Sequence, residues 1–321
     1  MKKGVFFLIL FSAAISSFRW GFFAHQRINQ LAVFTLPPPL NQFYKAHIKY
    51  LSDNAVNPDM RRYAIKEEAP RHYIDLDIYP DSTIEFLQQN WYRVTEKIPA
   101  DSLNEYGIVP WHIVTMYHRL KDAFLQKDPA RILKLSAEIG HYIGDANVPL
   151  HTTENYNGQL TNQRGIHGFW ESRLPELFFE DYTFFVGKAE YIESPLREAW
   201  KAVLSGHQAL DSVLRFEKEL SNKFPADKKY TYEERGNSFV RTYSREYATA
   251  YHEMLSGMVE RRMRASVKMV GDFWYTCWVH AGQPDMSEFI EFDFSEWEKE
   301  NQRKEREGWL NKIFNAREEG G

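Results

Sequence analysis

Between Gly140 and Glu171 the chain reads GHYIGDANVPLHTTENYNGQLTNQRGIHGFWE. His141 and Asp145 lie four residues apart, and so do His167 and Glu171. On a helix that spacing puts both side chains of a pair on one face, where they can reach a common ion. His151 follows Asp145 by six residues, just after Pro149, which would break the helix and let the chain turn back. Upstream, Asp59 precedes His72 by thirteen residues, and His25 stands near the start. Five of the eleven histidines thus fall in one set with carboxylates. Imidazole with carboxylate and no thiolate suits Zn²⁺, and there are too many ligands for one tetrahedral ion, so two or three Zn²⁺ ions are expected. Ions ~3.5–4 Å apart serve phosphoester displacement, one binding the nucleophile and another the phosphoryl oxygens.

The same residues sit in motifs whose order along the chain is informative: Trp20-Gly21 with His25, Asn57-Pro58-Asp59, His72-Tyr73-Ile74-Asp75, the stretch from Gly140 to His151, and His167 to Glu171. Together they resemble the superfamily that joins bacterial zinc-dependent phospholipase C to the fungal and plant single-strand nucleases, over about half the chain. The resemblance implies a mostly helical fold with three zinc ions in a cleft. One zinc would take Asp59, His72, His141 and Asp145. A second would take His151, His167 and Glu171. The third would take His25, a shared Asp145, and the amino group and carbonyl of Trp20, if processing behind Arg19 makes Trp20 the first residue. A hydroxide between the first and third ions would attack a phosphodiester in line, with Asp75 either moving a proton or orienting a ligand histidine. Glu171 stands where the nuclease branch has Asp, which favours the phospholipase C-like reading. A single-strand nuclease or nucleotidase is the first alternative, and an exported metal-binding protein without activity the second.

Helices must carry these side chains, and the spacing of apolar residues predicts them. Ile28, Leu31, Ala32 and Leu36 keep helical spacing up to Pro37-Pro38-Pro39. Ile113, Met116, Leu120 and Phe124 form one stripe behind Pro110, and Ile132, Leu135 and Ile139 another, with Asp128 as N-cap and Pro129 just inside. The second of these helices delivers His141 and Asp145. Ser194-Pro195 opens another helix, and a long one is expected from about Phe239 to Val279. Strand signals are nearly absent. The expected architecture is all-α: a single mostly helical domain over 20–288 around a multinuclear zinc cleft, with a charged C-terminal helix or tail over 289–321.

The 321 residues carry a net charge of −4, so no global basic field gathers duplex nucleic acid. Residues 1–19 read as a signal peptide: Lys2 and Lys3, then an apolar stretch from Val5 to Ile15 too short to span a bilayer. An exported protein follows, periplasmic or secreted, soluble and monomeric. Cys277 stands alone, which rules out an internal disulfide framework and reads as a buried core residue. The expected partners are a phospholipid or small phosphodiester, with single-stranded nucleic acid and transient membrane-surface contact as further options.

Overall fold

The computed structural model describes residues 22–62, 64–235, 238–293 and 297. Its principal helices are α1 (Phe22–Ala32), α2 (Val109–Leu125), α3 (Pro129–Ala146), α4 (Pro195–Lys223), α5 (Arg245–Met254) and α6 (Met258–His280). Short helices fill the connections, and the strands β1 (Tyr230–Arg235) and β2 (Ser238–Tyr243) form the one sheet among the described residues. The chain is mostly all-α and a single domain.

At the centre runs α3. The Asp128 side chain accepts from the Arg131 amide, and Pro129 occupies the first turn, where its missing N–H costs nothing. Every residue from Ser136 to Ala146 is buried, because α1, α2 and α6 close around this half of the helix. A helix covered on all sides needs small residues where its neighbours approach. Gly140 and Gly144 provide them: a Cβ on Gly140 would stand 1.9 Å from Asn29 Oδ1, and one on Gly144 would stand 2.8 Å from His25 Nδ1. Both glycines face α1, and their bareness lets His25 reach the end of α3. Cys277 is buried in α6, as its isolation suggested.

Two expectations fail. The helix expected from Phe239 to Val279 is three elements: β2, then α5 behind a Ser244 cap that accepts from the Tyr247 amide, then α6. Ser256 (φ 49°) and Gly257 (φ 74°) break α5 from α6 with two consecutive left-handed residues, which no helix accommodates. The second correction is the hairpin itself, whose register pairs Tyr230 with Tyr243, Tyr232 with Arg241, and Glu234 with Phe239. Its period-2 alternation is plain in YTYEER and SFVRTY, with Gly236-Asn237 between them, but the charged positions conceal it. Pro37-Pro38-Pro39 also does double duty, ending one helical stretch and opening the next at Pro38.

At the far end of the chain, Phe289, Phe292 and Trp297 pack on the core. Residues 1–19, expected to be a leader, Trp20 and most of the charged segment 289–321, including Trp309, Ile313 and Phe314, lie outside the described residues. No helix among the described residues is long and apolar enough to cross a membrane.

Candidate metal centre

Six local structures hold the histidines and carboxylates. Asp59 sits in the short helix Asn57–Arg61, His25 on α1, and His141 with Asp145 on the last two turns of α3. His151 lies in a 3₁₀ turn that Pro149 opens, where the chain reverses after α3. A mutual strap then fixes His151 against the segment of His72: its Nδ1 donates to the His72 carbonyl at 2.6 Å, and its own carbonyl accepts from the Ile74 amide at 2.9 Å. His167 and Glu171 come from one helical stretch that begins at Ile166 and widens to a π-helix over Phe169–Arg173.

These residues converge into three groups whose ligating atoms lie within 4.8 Å of one another: His25, His141 and Asp145; Asp59, His72 and His141; and His151, His167 and Glu171. Asp145 joins the groups. Its Oδ2 is 2.9 Å from His72 Nδ1 and 3.2 Å from His141 Nε2, while Oδ1 is 3.4 Å from His25 Nε2 and 3.8 Å from His151 Nδ1. Glu171 bridges likewise, with Oε1 3.2 Å from His25 Nε2 and Oε2 2.6 Å from His167 Nε2. Asp59 stands 3.8 Å from both His72 and His141. The centre is buried at His141 and Asp145 and more open at Asp59 and His167, each 24% exposed at the side chain.

Ring orientation is decisive for what such a cluster can hold. His141 Nδ1 faces the Ala55 carbonyl at 2.9 Å and His151 Nδ1 faces the His72 carbonyl. A carbonyl only accepts, so the proton of each neutral ring sits on Nδ1, and Nε2 presents its lone pair to the cluster. His141 Nε2 then meets His72 Nδ1 at 3.1 Å, and His151 Nε2 meets His167 Nε2 at 2.9 Å. Nitrogens that close need a proton or a cation between them. The spacing is close to the edge of a tetrahedron of nitrogens about 2.0–2.1 Å from a metal, about 3.3 Å. The residues therefore fit a metal ion, and buried His/Asp/Glu groups that could hold one are a feature of this structure.

The electrostatics agree. Burial works against charging His25, yet its hydrogen bond to Glu171 and the charge of Asp145 push its pKa up to about 9. His151 reaches about 9 in the same way, with Asp145 and Glu171 overcoming burial. Asp145 and Glu171 are held well below the usual carboxylate range, burial being outweighed by the histidines around them. The buried carboxylates demand positive charge, and without metal His25 and His151 supply it as protons.

One residue that the sequence reading passed over is Glu68, four before His72 and wholly buried. It receives the Tyr142 hydroxyl, Arg71 at 2.6 Å and Arg61 at 3.4 Å, and its Oε1 lies 3.8 Å from His72 Nε2, the nitrogen turned away from Asp145. Histidines that bind metal commonly have a carboxylate behind them. Glu68→Gln is expected to weaken metal binding about 10- to 100-fold while leaving the fold intact, measured by competition with a chromogenic chelator. An unchanged affinity would remove Glu68 from the support of His72.

Asp75 is not part of the converging groups. Burial, Asp77 and Glu154 raise its carboxyl to about 7, with His151 pulling the other way. Trp20 lies outside the described residues. The other six histidines, His47, His112, His118, His207, His252 and His280, belong to none of the three groups.

What these elements define is a mostly helical protein built around a buried histidine–carboxylate centre. No protein-family model matches the chain, and a search of curated proteins finds no match.

Proposed function

We propose that the chain is a zinc-dependent phosphodiester hydrolase of the phospholipase C and single-strand nuclease kind. The observation that carries this reading is that Asp145, grouped with His25 and His141, turns its other oxygen to His72 of the adjacent group, while Glu171 of the third group reaches His25. Adjacent cation sites joined by one carboxylate suit phosphoester displacement, and donors that are all nitrogen or oxygen suit Zn²⁺. When bound, zinc would acidify water and neutralise charge developing on the phosphoryl oxygens. The chain's own residues do the rest. The Ala55 and His72 carbonyls fix the tautomers of His141 and His151, and Asp145 sets the separation of the neighbouring groups. Asp75 holds a proton near neutrality, as a group that passes one to a leaving oxygen would.

Glu171 favours the phospholipase C-like form. A nuclease form draws support from Tyr156, whose half-exposed ring lies 5.9 Å from that of His167 at 87°, a surface on which a base could stack. The decisive experiment measures zinc per chain and then assays a chromogenic phosphocholine ester and single-stranded DNA under zinc repletion. Two or three zinc ions with turnover of either substrate are expected, and chelation should abolish the turnover. Full zinc occupancy with neither substrate turned over would leave an exported metal-binding protein instead.

Asp75 also sets a pH dependence in the metal-free chain. Its folded pKa of about 7 lies above its ordinary 3.8, so the native state holds this proton more tightly than the unfolded one. Its contribution is fully present below pH ~4, is lost as pH rises, and is gone above ~7. Asp75→Asn should therefore melt like the wild type at pH 4 and be more stable by about 1–2 kcal/mol at pH 8, allowing for solvent screening. Equal melting at pH 8 would count against a half-buried, proton-holding Asp75.

A further inference from the structure

Beside the helical segment that carries His167 and Glu171 lies a pocket of 390 Å³, between that segment and the hairpin. Its walls include Arg164, Arg173 and Arg241 and the rings of Phe169, Tyr230 and Tyr243, and no carboxylate lines it. In a chain whose net charge is −4, three arginines without an acid among them are not a neutral sampling of the surface.

The three do different things. Arg173 is almost fully buried, paired with both carboxylate oxygens of Glu233 and donating to the Tyr243 carbonyl at 3.2 Å, so it ties the hairpin to the helical segment. Its charge is spent. Arg241 lies over the Tyr230 ring with its guanidinium carbon 3.7 Å from the centroid, and no carboxylate pairs with it among the described residues. Stacking of this kind holds a guanidinium flat and leaves its N–H edge free. Arg164 is exposed, and among the described residues it too has no carboxylate partner. Gly168, immediately after His167, has no atom within 4 Å of where a Cβ would stand, so the floor between the arginines is open. The result is room for a small group, two uncommitted guanidinium forks, and a frame held rigid by the Arg173–Glu233 pair. Planar forks of this kind recognise oxyanions in two-point contact.

We propose that this pocket is an anion subsite that takes a phosphate-type group, and that in the working protein it holds a second phosphate of the substrate whose scissile phosphodiester lies at the metal centre. The second half rests on the proposed phosphodiesterase function; the first does not. Pocket and centre share the segment 166–173, so a substrate whose second phosphate reached past that segment would hold both contacts, and effective concentration would add the second to the first. The substrate class so selected bears an extra phosphate near the cleaved bond, whether a short nucleotide chain or a glycerophosphodiester with a phosphorylated head group.

Binding and rate separate the two halves. Zinc-loaded wild type and Arg164→Gln/Arg241→Gln are titrated with inorganic phosphate at low ionic strength. The variant is expected to bind one equivalent fewer, and equal stoichiometry overturns the subsite whether or not the chain hydrolyses anything. The same two proteins are then assayed on a dinucleotide with and without a terminal phosphate, and on a glycerophosphodiester with and without a second phosphate on its head group. A gain in kcat/KM of about tenfold from the extra phosphate is expected in wild type for one pair, reduced to about unity in the variant, while rates on the single-phosphate partners stay equal. The pair that shows the gain identifies the source of the phosphate. No gain in either pair overturns the substrate half.

Discussion

Asp145→Asn should strip the centre of metal more completely than a change at any residue that faces one group only. The substitution keeps the shape but replaces a carboxylate oxygen by an N–H donor beside histidine nitrogens that also need to be acceptors. Since Oδ1 and Oδ2 face different groups, both are damaged at once. Breaking a buried, charge-paired contact costs about 3–5 kcal/mol, about two to four orders of magnitude in affinity. His167→Ala, at the open edge of one group only, is the control and should remove at most one ion. Metal content after dialysis at micromolar zinc checks the pair. If Asp145→Asn keeps a full complement while His167→Ala does not, Asp145 is not the shared ligand.

The second large effect falls on the fold. Gly140→Ala adds one methyl group, yet it would place that methyl 1.9 Å from Asn29 Oδ1 in a fully buried contact. Asn29 cannot swing aside freely, because its Nδ2 donates to the Leu51 carbonyl at 3.2 Å and to the Ala137 carbonyl at 3.0 Å. The strain and lost hydrogen bonds should cost about 2–4 kcal/mol, lowering Tm by about 3–6 °C. The same change in an Asn29→Ala background should cost far less, since the clash is gone. Additive losses in the double variant would show that Gly140 matters for some reason other than Asn29.

Much of this was legible in the sequence, and unevenly so. The helices α2, α3 and α4 announce themselves by apolar spacing and by proline just inside a cap, and the structure places them where those signals point. The four-residue spacing of His141 with Asp145, and of His167 with Glu171, already implied shared faces. Glu68 escaped because nothing local distinguishes it from Glu67, its exposed neighbour. Its role depends on Tyr142, Arg61 and Arg71 meeting it in space. The hairpin escaped because its alternation places tyrosines and charges together, whereas strand reading leans on aliphatic β-branched residues. The break at Ser256-Gly257 escaped because a single glycine inside an apolar pattern reads as tolerated.

The strap between His151 and the backbone at His72 and Ile74 carries a kinetic consequence. The centre joins segments up to 146 residues apart, so its formation must wait for distant parts of the chain to meet. Contacts of such high sequence separation form late on the route from coil to native chain. A divalent ion gripping them would therefore act on the return journey: refolding should run at nearly the same speed with or without it, and escape from the native state should become slow.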